Sequence, residues 1–500
     1  MPVLFIPISV DAYVLPRAGL TLAGGGLVAC AGLARGRRSL GALRLPVLAV
    51  ALAAVAAAAV SIAPAASLVG TYGRYESLPV RLAYLGLFCG AACLGERERV
   101  TWAFLAGCGV AAAEAVYQAL ARVPFRPDGN LGQPNLLGVL LAMAVPLALD
   151  RARTAAPPAR RGWLALVALL VAGLAVSTSR SGWVAALVGT FVVAALLVPR
   201  RRLAQVLGVA GAAALVAAAL LLVSPLRHLN QDTGAARLGV WRDSLSVVAT
   251  RPLLGWGPDT MGLVLGRYQT ADWEPGHSFD RAHSMPLDLA ATQGLLGLAA
   301  CASLFGAWSI GVWRARTAPL VAGLAGAAAA YLAWALVNFD WAPATAAFWL
   351  LAGAAASPAA GSPPGPSSSP PGWRERRWRL AAGAAASVAG LALAVPAHVA
   401  DLELYAGRAD RAAAIDPLQA HYQAALGTLA GLRRAAALGD PDPATYVALG
   451  DAEARAGHPE AARAAYREAL ARYPYDGAAR QRLGGAPPAA ATASRRAASG

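Results

Sequence analysis

The sequence predicts an all-α fold: a polytopic membrane helical bundle of about 12 spans with a small C-terminal helical-repeat domain. Three observations lead there. Apolar residues make up 57% of the 500-residue chain and charged residues only 14%, against about 25% charge in an ordinary soluble domain. So little charge cannot cover a globule of this size with polar surface, and lipid must serve as part of its solvent; mean hydropathy is +0.50. Apolar runs recur at close to the ~20 residues that cross ~30 Å of hydrocarbon as a helix. Arginine clusters then fall in alternate connections between those runs.

The runs lie at about 17–34, 42–63, 79–95, 100–121, 135–150, 163–178, 181–199, 203–224, 285–312, 317–337, 342–356 and 380–397. Several are rich in Ala and Gly, which lets helices approach closely. Arg35, Arg37 and Arg38 follow the first run, Arg97 and Arg99 the third, and Arg151, Arg153, Arg160 and Arg161 the fifth. Arg200, Arg201 and Arg202 follow the seventh and Arg314 and Arg316 the ninth, while Arg374, Arg376, Arg377 and Arg379 precede the twelfth. The positive-inside rule makes these loops cytoplasmic. Arg74, Arg81, Arg122 and Arg126 fall on the opposite side, so the bias is strong but not absolute. That side also receives a loop at 122–134, a turn at 179–182, a long loop at about 225–284 and Asn338-Phe339-Asp340-Trp341.

The net charge of +16 comes without a single lysine; the arginines mark cytoplasmic loops, and no nucleic-acid partner is expected. All five cysteines lie in apolar stretches without a CxxC or Cys/His cluster and read as packing residues. There is no HExxH and no GxxxxGK[ST], so neither a metal nor another cofactor is expected. Asp440-Pro441-Asp442 reads as a turn before a helix. The N-terminus lacks a basic n-region and a small-residue cleavage site, which argues against a removable signal peptide.

The expected domains are a membrane domain at 1–356, a Pro/Ser-rich and basic cytoplasmic linker at 357–379, a last span at 380–397, helical repeats at 401–484 and a disordered tail at 485–500. Tyr446, Leu449, Gly450, Ala462, Tyr466, Ala469 and Pro474 sit at the spacing of the 34-residue tetratricopeptide pattern. A degenerate earlier repeat runs from about 412 to 427. Such repeats offer a concave surface to a protein partner; the alternative is a packing or capping module.

Three segments on the non-cytoplasmic side carry candidate chemistry. Asn130-Leu131-Gly132-Gln133-Pro134-Asn135 stands at the mouth of the fifth span, where Pro and Asn also serve as helix-start residues. Ser177-Thr178-Ser179-Arg180-Ser181-Gly182-Trp183 interrupts two apolar helices with a charge. Arg180 is either a functional ionisable residue or a snorkelling helix-end one. In the long loop, Arg237 and Trp241 are spaced to share one helical face. Arg242 and Arg251-Pro252-Leu253-Leu254-Gly255-Trp256-Gly257-Pro258 follow. His283 stands where the loop returns to the ninth span, as a proton acceptor or a helix cap, ahead of Gln293-Gly294-Leu295-Leu296-Gly297.

In this order, over roughly residues 60–355, the segments resemble the O-antigen ligase and polymerase superfamily of bacterial inner membranes. The elements that carry the likeness are Gly132-Gln133-Pro134-Asn135, Ser179-Arg180, Arg237-x-x-x-Trp241, Arg251 to Gly257, and His283 to Leu287 ending in Gly294 to Gly297. The family commonly has a glutamate where this chain has Gln293, a departure beside the expected site.

The resemblance implies a metal-independent transferase that moves a glycan from an undecaprenyl-diphosphate carrier on the periplasmic face. The implied acceptor is lipid A-core, another carrier-linked glycan or a protein hydroxyl. Membrane lipids and, through the repeats, a protein are the other expected partners. The leaving group is a lipid diphosphate, whose developing charge suits arginine forks; a histidine can take the acceptor proton. The expected catalytic residues are therefore Arg180, Arg237 and His283, with Arg242, Arg251, Asn135 and Trp241 as substrate-binding residues. A polymerase of the same superfamily is the near alternative. A flippase or transporter would need charged residues along a path through the spans, and a scaffold would use the repeats alone.

Overall fold

The computed structural model describes residues 3–35, 40–199, 202, 235–357 and 373–484, and the secondary structure among them is helical, without strands. In chain order the helices are α1 (Val14–Arg35), α2 (Arg44–Ala59), α3 (Pro64–Val69), α4 (Leu78–Leu94), α5 (Arg97–Leu120), α6 (Pro134–Thr154), α7 (Pro157–Val176) and α8 (Arg180–Leu197). Then come α9 (Ala235–Thr250), α10 (Met285–Ala315), α11 (Val321–Ala335), α12 (Ala342–Ala356) and α13 (Trp373–Tyr405). Eight of these contain a stretch long and apolar enough to cross a membrane, and α4, α11 and α12 are shorter apolar helices. Together they coincide with eleven of the twelve runs read from the sequence. The run at 203–224, the arginines at 37, 38, 200, 201 and 227, His228, the Pro/Ser-rich stretch at 358–371 and the tail lie outside the described residues. The chain is a multi-pass membrane protein.

Local chemistry sets the helix limits. α4, α6, α7, α10 and α12 each begin with proline in the first turn, where its missing N–H costs nothing. Gly95 ends α4 in a left-handed conformation. α13 is one 33-residue helix that takes in the basic residues expected to close the linker and the first residues expected in the repeats; Arg, Glu and Ala are good helix formers and sustain it.

Small residues set the packing. α1 lies antiparallel to α13, with Gly19 against His398 and Gly26 against Ser387, and parallel to α4, with Gly25 against Ala83 and Gly90 against Val28. α6 runs through the centre, where Leu136, Leu137, Leu140, Leu141, Met143 and Leu147 are fully buried. α11 lies antiparallel to both α6 and α8: Gly326 meets Pro146 and Gly189, and Gly189 also meets Ala330. At one end of the bundle arginines find partners. Arg97 donates to the carbonyls of Ala354 and Ser357, Arg151 pairs with Glu98 at 2.8 Å, and Arg153 pairs with Asp150 at 2.7 Å.

The opposite end carries the 235–284 region and, docked on it, the C-terminal helices α14 (Ala409–Ile415), α15 (Ala420–Ala424), α16 (Leu429–Leu438), α17 (Pro443–Arg455), α18 (Pro459–Arg472) and α19 (Gly477–Arg482). α17 and α18 form the expected tetratricopeptide hairpin, and Gly450 admits the Tyr466 ring, which a Cβ would meet at 2.2 Å. The Tyr473 hydroxyl accepts from Gly276 N at 2.8 Å and donates to Asp272 at 3.0 Å. Gly266 lies directly under the Arg472 carbonyl.

Candidate active site

Two of the sequence elements meet where α6 and α8 begin. Ser179 is the N-cap of α8: its Oγ accepts from Gly182 N at 3.3 Å and donates to Asn135 Oδ1 at 3.0 Å. Gly138 makes the junction possible, because a Cβ there would stand 2.4 Å from Ser179 Oγ. The Asn135 and Ser179-Arg180 elements are thus one structural unit, with Arg180 as the first residue of α8. Arg126, from the preceding loop, reaches the same turn, donating to Thr178 Oγ1 and the Ser177 carbonyl at 2.9 Å each. Burial lowers the Arg126 guanidinium from its ordinary value, and the neighbouring Arg180 charge adds to that.

Three further candidates come from α9 and the loop after it. Arg237 Nη1 donates to the Val337 carbonyl at 2.8 Å, just beyond α11, and Trp241 Nε1 donates to the His283 carbonyl at 3.4 Å. Because α6 and α8 are antiparallel to α11, their first residues stand level with this last stretch of α11. Asn135, Arg180, Arg237, Trp241 and His283 therefore gather at one end of the bundle.

His283 does not occupy the N-cap of α10; Ser284 does. His283 precedes it with φ +51°, in the left-handed region, and its ring stands edge-on to Phe339 at 5.1 Å and Phe279 at 6.0 Å. Behind Phe339 lies Arg74, whose guanidinium is 4.7 Å from that ring and 4.9 Å from Trp341. Arg74 binds Asp280 with Nε at 2.5 Å and Nη2 at 3.1 Å. Burial alone would raise the Asp280 carboxyl, but Arg74, Arg281 and His283 hold it at about 2. Arg281 forms a buried ion pair with Asp259, whose other oxygen accepts from Thr71 N at 2.6 Å and Glu76 N at 3.2 Å. Burial also pushes the Glu76 carboxyl up to about 7.

None of Arg74, Asp280, Asp259, Glu76 or Arg126 had been singled out as a site residue. One signal was present: Arg74 and Arg126 are among the arginines that break the positive-inside pattern.

Arg242 and Arg251 belong to the same 235–284 region but stand apart from Arg237. Arg242 is exposed and, five residues from Arg237, lies about 140° round the helix. Arg251 is about 20 Å further along the chain's helical axis than Arg237 and stacks on Trp256 at 4.2 Å. Its segment has an architectural task. α10 breaks at Gly294, with φ +70° and ψ −179°, and the backbone of 252–257 closes the break. Leu295 N donates to Pro252 O at 2.7 Å, Leu296 N to Leu253 O at 3.3 Å, Trp256 N to Ala291 O at 2.9 Å and Gly257 N to Thr292 O at 3.0 Å. Without those bonds a broken helix in a membrane would leave polar backbone unsatisfied. Gln293, at the break, lines a cavity with Arg81, Met285, Tyr331 and Asp340.

Residues 165–302 match the O-antigen ligase family, and residues 443–486 match the tetratricopeptide repeat. No curated protein matches the chain. The first matched stretch begins in α7, contains Arg180, Arg237, Arg242, Arg251 and His283, and ends in α10 beyond Gly297. The chain thus carries a domain of the O-antigen ligase/polymerase superfamily of membrane glycosyltransferases, followed by a tetratricopeptide module.

Proposed function

We propose that this chain transfers a glycan from an undecaprenyl-diphosphate carrier to an acceptor on the periplasmic face of a bacterial inner membrane, without a metal. The acceptor is lipid A-core, another carrier-linked glycan or a protein hydroxyl. The observation that supports this most is the gathering of Arg180, Arg237 and His283 at one end of the bundle from three separate segments, all inside the matched domain. In this reading the acceptor oxygen attacks the anomeric carbon as its proton passes to the His283 imidazole. The bond from that carbon to the carrier phosphate breaks, and its electron pair leaves with the diphosphate. Arg180 and Arg237 offset that charge with forked hydrogen bonds. Asp280, kept ionised by Arg74, favours the imidazolium that forms. Asn135 and Trp241 fix the walls, through Ser179 and the His283 carbonyl.

Deletion of the protein should remove one class of surface glycan and leave its carrier-linked form accumulated. Unchanged surface glycans and no accumulation would defeat the proposal. The face is tested separately: reporter fusions at Ser246 and Gly450 should both behave as exported, and a cytoplasmic signal at Ser246 would put the site on the wrong side.

A further inference from the structure

We infer that the cleft between the 66–72 segment and the C-terminal repeats is a binding subsite for an uncharged, hydroxyl-bearing sugar of the glycan being transferred or extended, an inference that rests on the transferase reading above. The cleft holds about 260 Å³, just under the size of drug-sized ligand sites. Thr71 and Tyr72 line one wall; Gln419, His421, Pro441 and Asp442 line the other.

The walls are fixed to each other. Buried Asp401, at the end of α13, accepts from the Tyr72 hydroxyl at 2.6 Å and from the Tyr422 hydroxyl of the repeats at 3.3 Å. Gln419 Nε2 donates to the Gly70 carbonyl at 3.2 Å, and the Tyr72 and His421 rings stack at 3.9 Å. A space held open by this many cross-bonds is a built cavity.

Its chemistry selects against a phosphate. In a chain of net charge +16, no arginine among the described residues lines this cleft, while Asp440 and Asp442 do. An anion would meet carboxylates and no cation. Hydroxyl groups fit instead. Asp442 uses one oxygen to cap Ala444 N at 2.9 Å, leaving the other as an acceptor. Burial lowers His421 from its ordinary value, so its ring is neutral at pH 7 and both accepts and donates. The Thr71 hydroxyl and the His421 ring nitrogens bond to no other described residue. Tyr72, Leu418 and Pro441 supply apolar surface for the C–H faces of a pyranose.

Two short chains of contacts link the cleft wall to the proposed transfer centre. Thr71 N binds Asp259, which pairs with Arg281, two residues before His283. Tyr72 is two residues from Arg74, which stacks on Phe339 against His283. These contacts tie the cleft wall to the residues around His283, so a glycan occupying both is the arrangement inferred here. The repeat module is then part of the substrate path as well as a surface for partners.

The test uses the full-length protein in lipid nanodiscs. Saturation-transfer NMR reads binding of free galactose, glucose and N-acetylglucosamine, with inorganic pyrophosphate and a tyrosine-containing tripeptide as separate probes. Thr71→Val removes the hydroxyl but keeps the backbone N–H; Asp442→Asn keeps the cap; His421→Phe keeps the stack. Each should weaken binding of at least one sugar roughly 3- to 10-fold and leave pyrophosphate binding unchanged. In transfer assays each should raise KM for the glycan donor or acceptor with kcat nearly constant. Leu418→Trp, at the rim, gives an independent block that touches none of the polar groups. Sugar binding that survives all four substitutions overturns the inference, as does a cleft that binds the tripeptide and no sugar. Arg180→Ala separates the two claims, because it should abolish transfer and leave sugar binding intact. Transfer that survives Arg180→Ala counts against the transferase site, and sugar binding then decides the cleft by itself.

Discussion

Two arginine-bearing stretches of the same loop look alike in sequence and serve different ends. Arg237-x-x-x-Trp241 and Arg251 to Gly257 each combine arginine, tryptophan and turn-forming or small residues, and both carry the family likeness. In the fold the first reaches across to Val337 and His283, joining two separate segments at the candidate site. The second turns its backbone to the break at Gly294, while Arg251 itself lies on Trp256. What separates them is the partner of the backbone. α9 satisfies its own N–H and C=O groups, so its side chains are available for chemistry. The 252–257 stretch donates and accepts for a different helix, so its residue types are set by a fit that leaves the arginine incidental.

That difference is sharpest in activity. His283→Ala should reduce transfer about 10²–10⁴-fold, the usual range for a general base, with membrane insertion intact. His283→Asn keeps a hydrogen-bonding side chain but no useful base and should be nearly as inactive. Transfer from purified lipid-linked donor across mildly acidic to mildly alkaline pH checks this: an active His283→Asn enzyme with an unchanged profile would leave the acceptor proton to something else. Arg180→Ala and Arg237→Ala should each cost about 10²–10³-fold. The lysine variants should do little better, since the charge remains but the fork is lost. Near-normal transfer by either alanine variant, at matched protein level, removes that arginine from the site.

The second stretch should answer in stability. Gly294→Ala forces φ +70° on a residue with a Cβ, and that Cβ would stand 2.0 Å from the Leu253 carbonyl. The expected loss is on the order of 3 kcal/mol or more, read as a lower melting midpoint and reduced folded yield. A normal midpoint would mean that the 252–257 segment is not what closes the break.

These contrasts also show what the sequence could reveal. The spans were legible because length, hydropathy and arginine alternation are local quantities, and eleven runs became apolar helices, most near the expected limits and the last extended at both ends to Trp373–Tyr405. The placing of Arg237 and Trp241 one turn apart on a helix was legible from spacing alone. The Asn135–Ser179 bond was not, because it depends on a glycine 3 residues past Asn135 that lets two helices touch. Nor was the pairing of Arg74 with Asp280, which joins residues 206 positions apart. Periodicity is silent about which distant segments meet.

The buried network behind His283 predicts a milder, pH-dependent effect. Glu76 is raised from 4.5 to about 7 in the fold, so between those values the folded protein binds more protons than the unfolded chain. Stability therefore falls as pH rises through that window. Glu76→Gln, which keeps a hydrogen bond to Tyr84 within reach and cannot ionise, should flatten the slope and melt higher than the native protein at pH 8. A native melting midpoint that rises from pH 5 to pH 8 would reverse the sign and place the titration elsewhere.

The smallest expected effect belongs to Arg251. Its guanidinium rests on the exposed side of Trp256 at 4.2 Å, a contact worth about 0.5–1 kcal/mol at an exposed site. The segment's hold on α10 runs through backbone groups of Pro252, Leu253, Trp256 and Gly257, none of which needs the Arg251 side chain. Arg251→Ala should therefore lower the melting midpoint slightly and leave transfer within about 3-fold of native, a shift of roughly 0.6 kcal/mol in the barrier. Measured beside Arg237→Ala in one assay, it puts the two stretches on a common scale. A loss near 10²-fold would mean that the carrier diphosphate reaches some 20 Å along α9 to this arginine, and the contrast between a chemical and an architectural half of the loop would fail at its best-defined point.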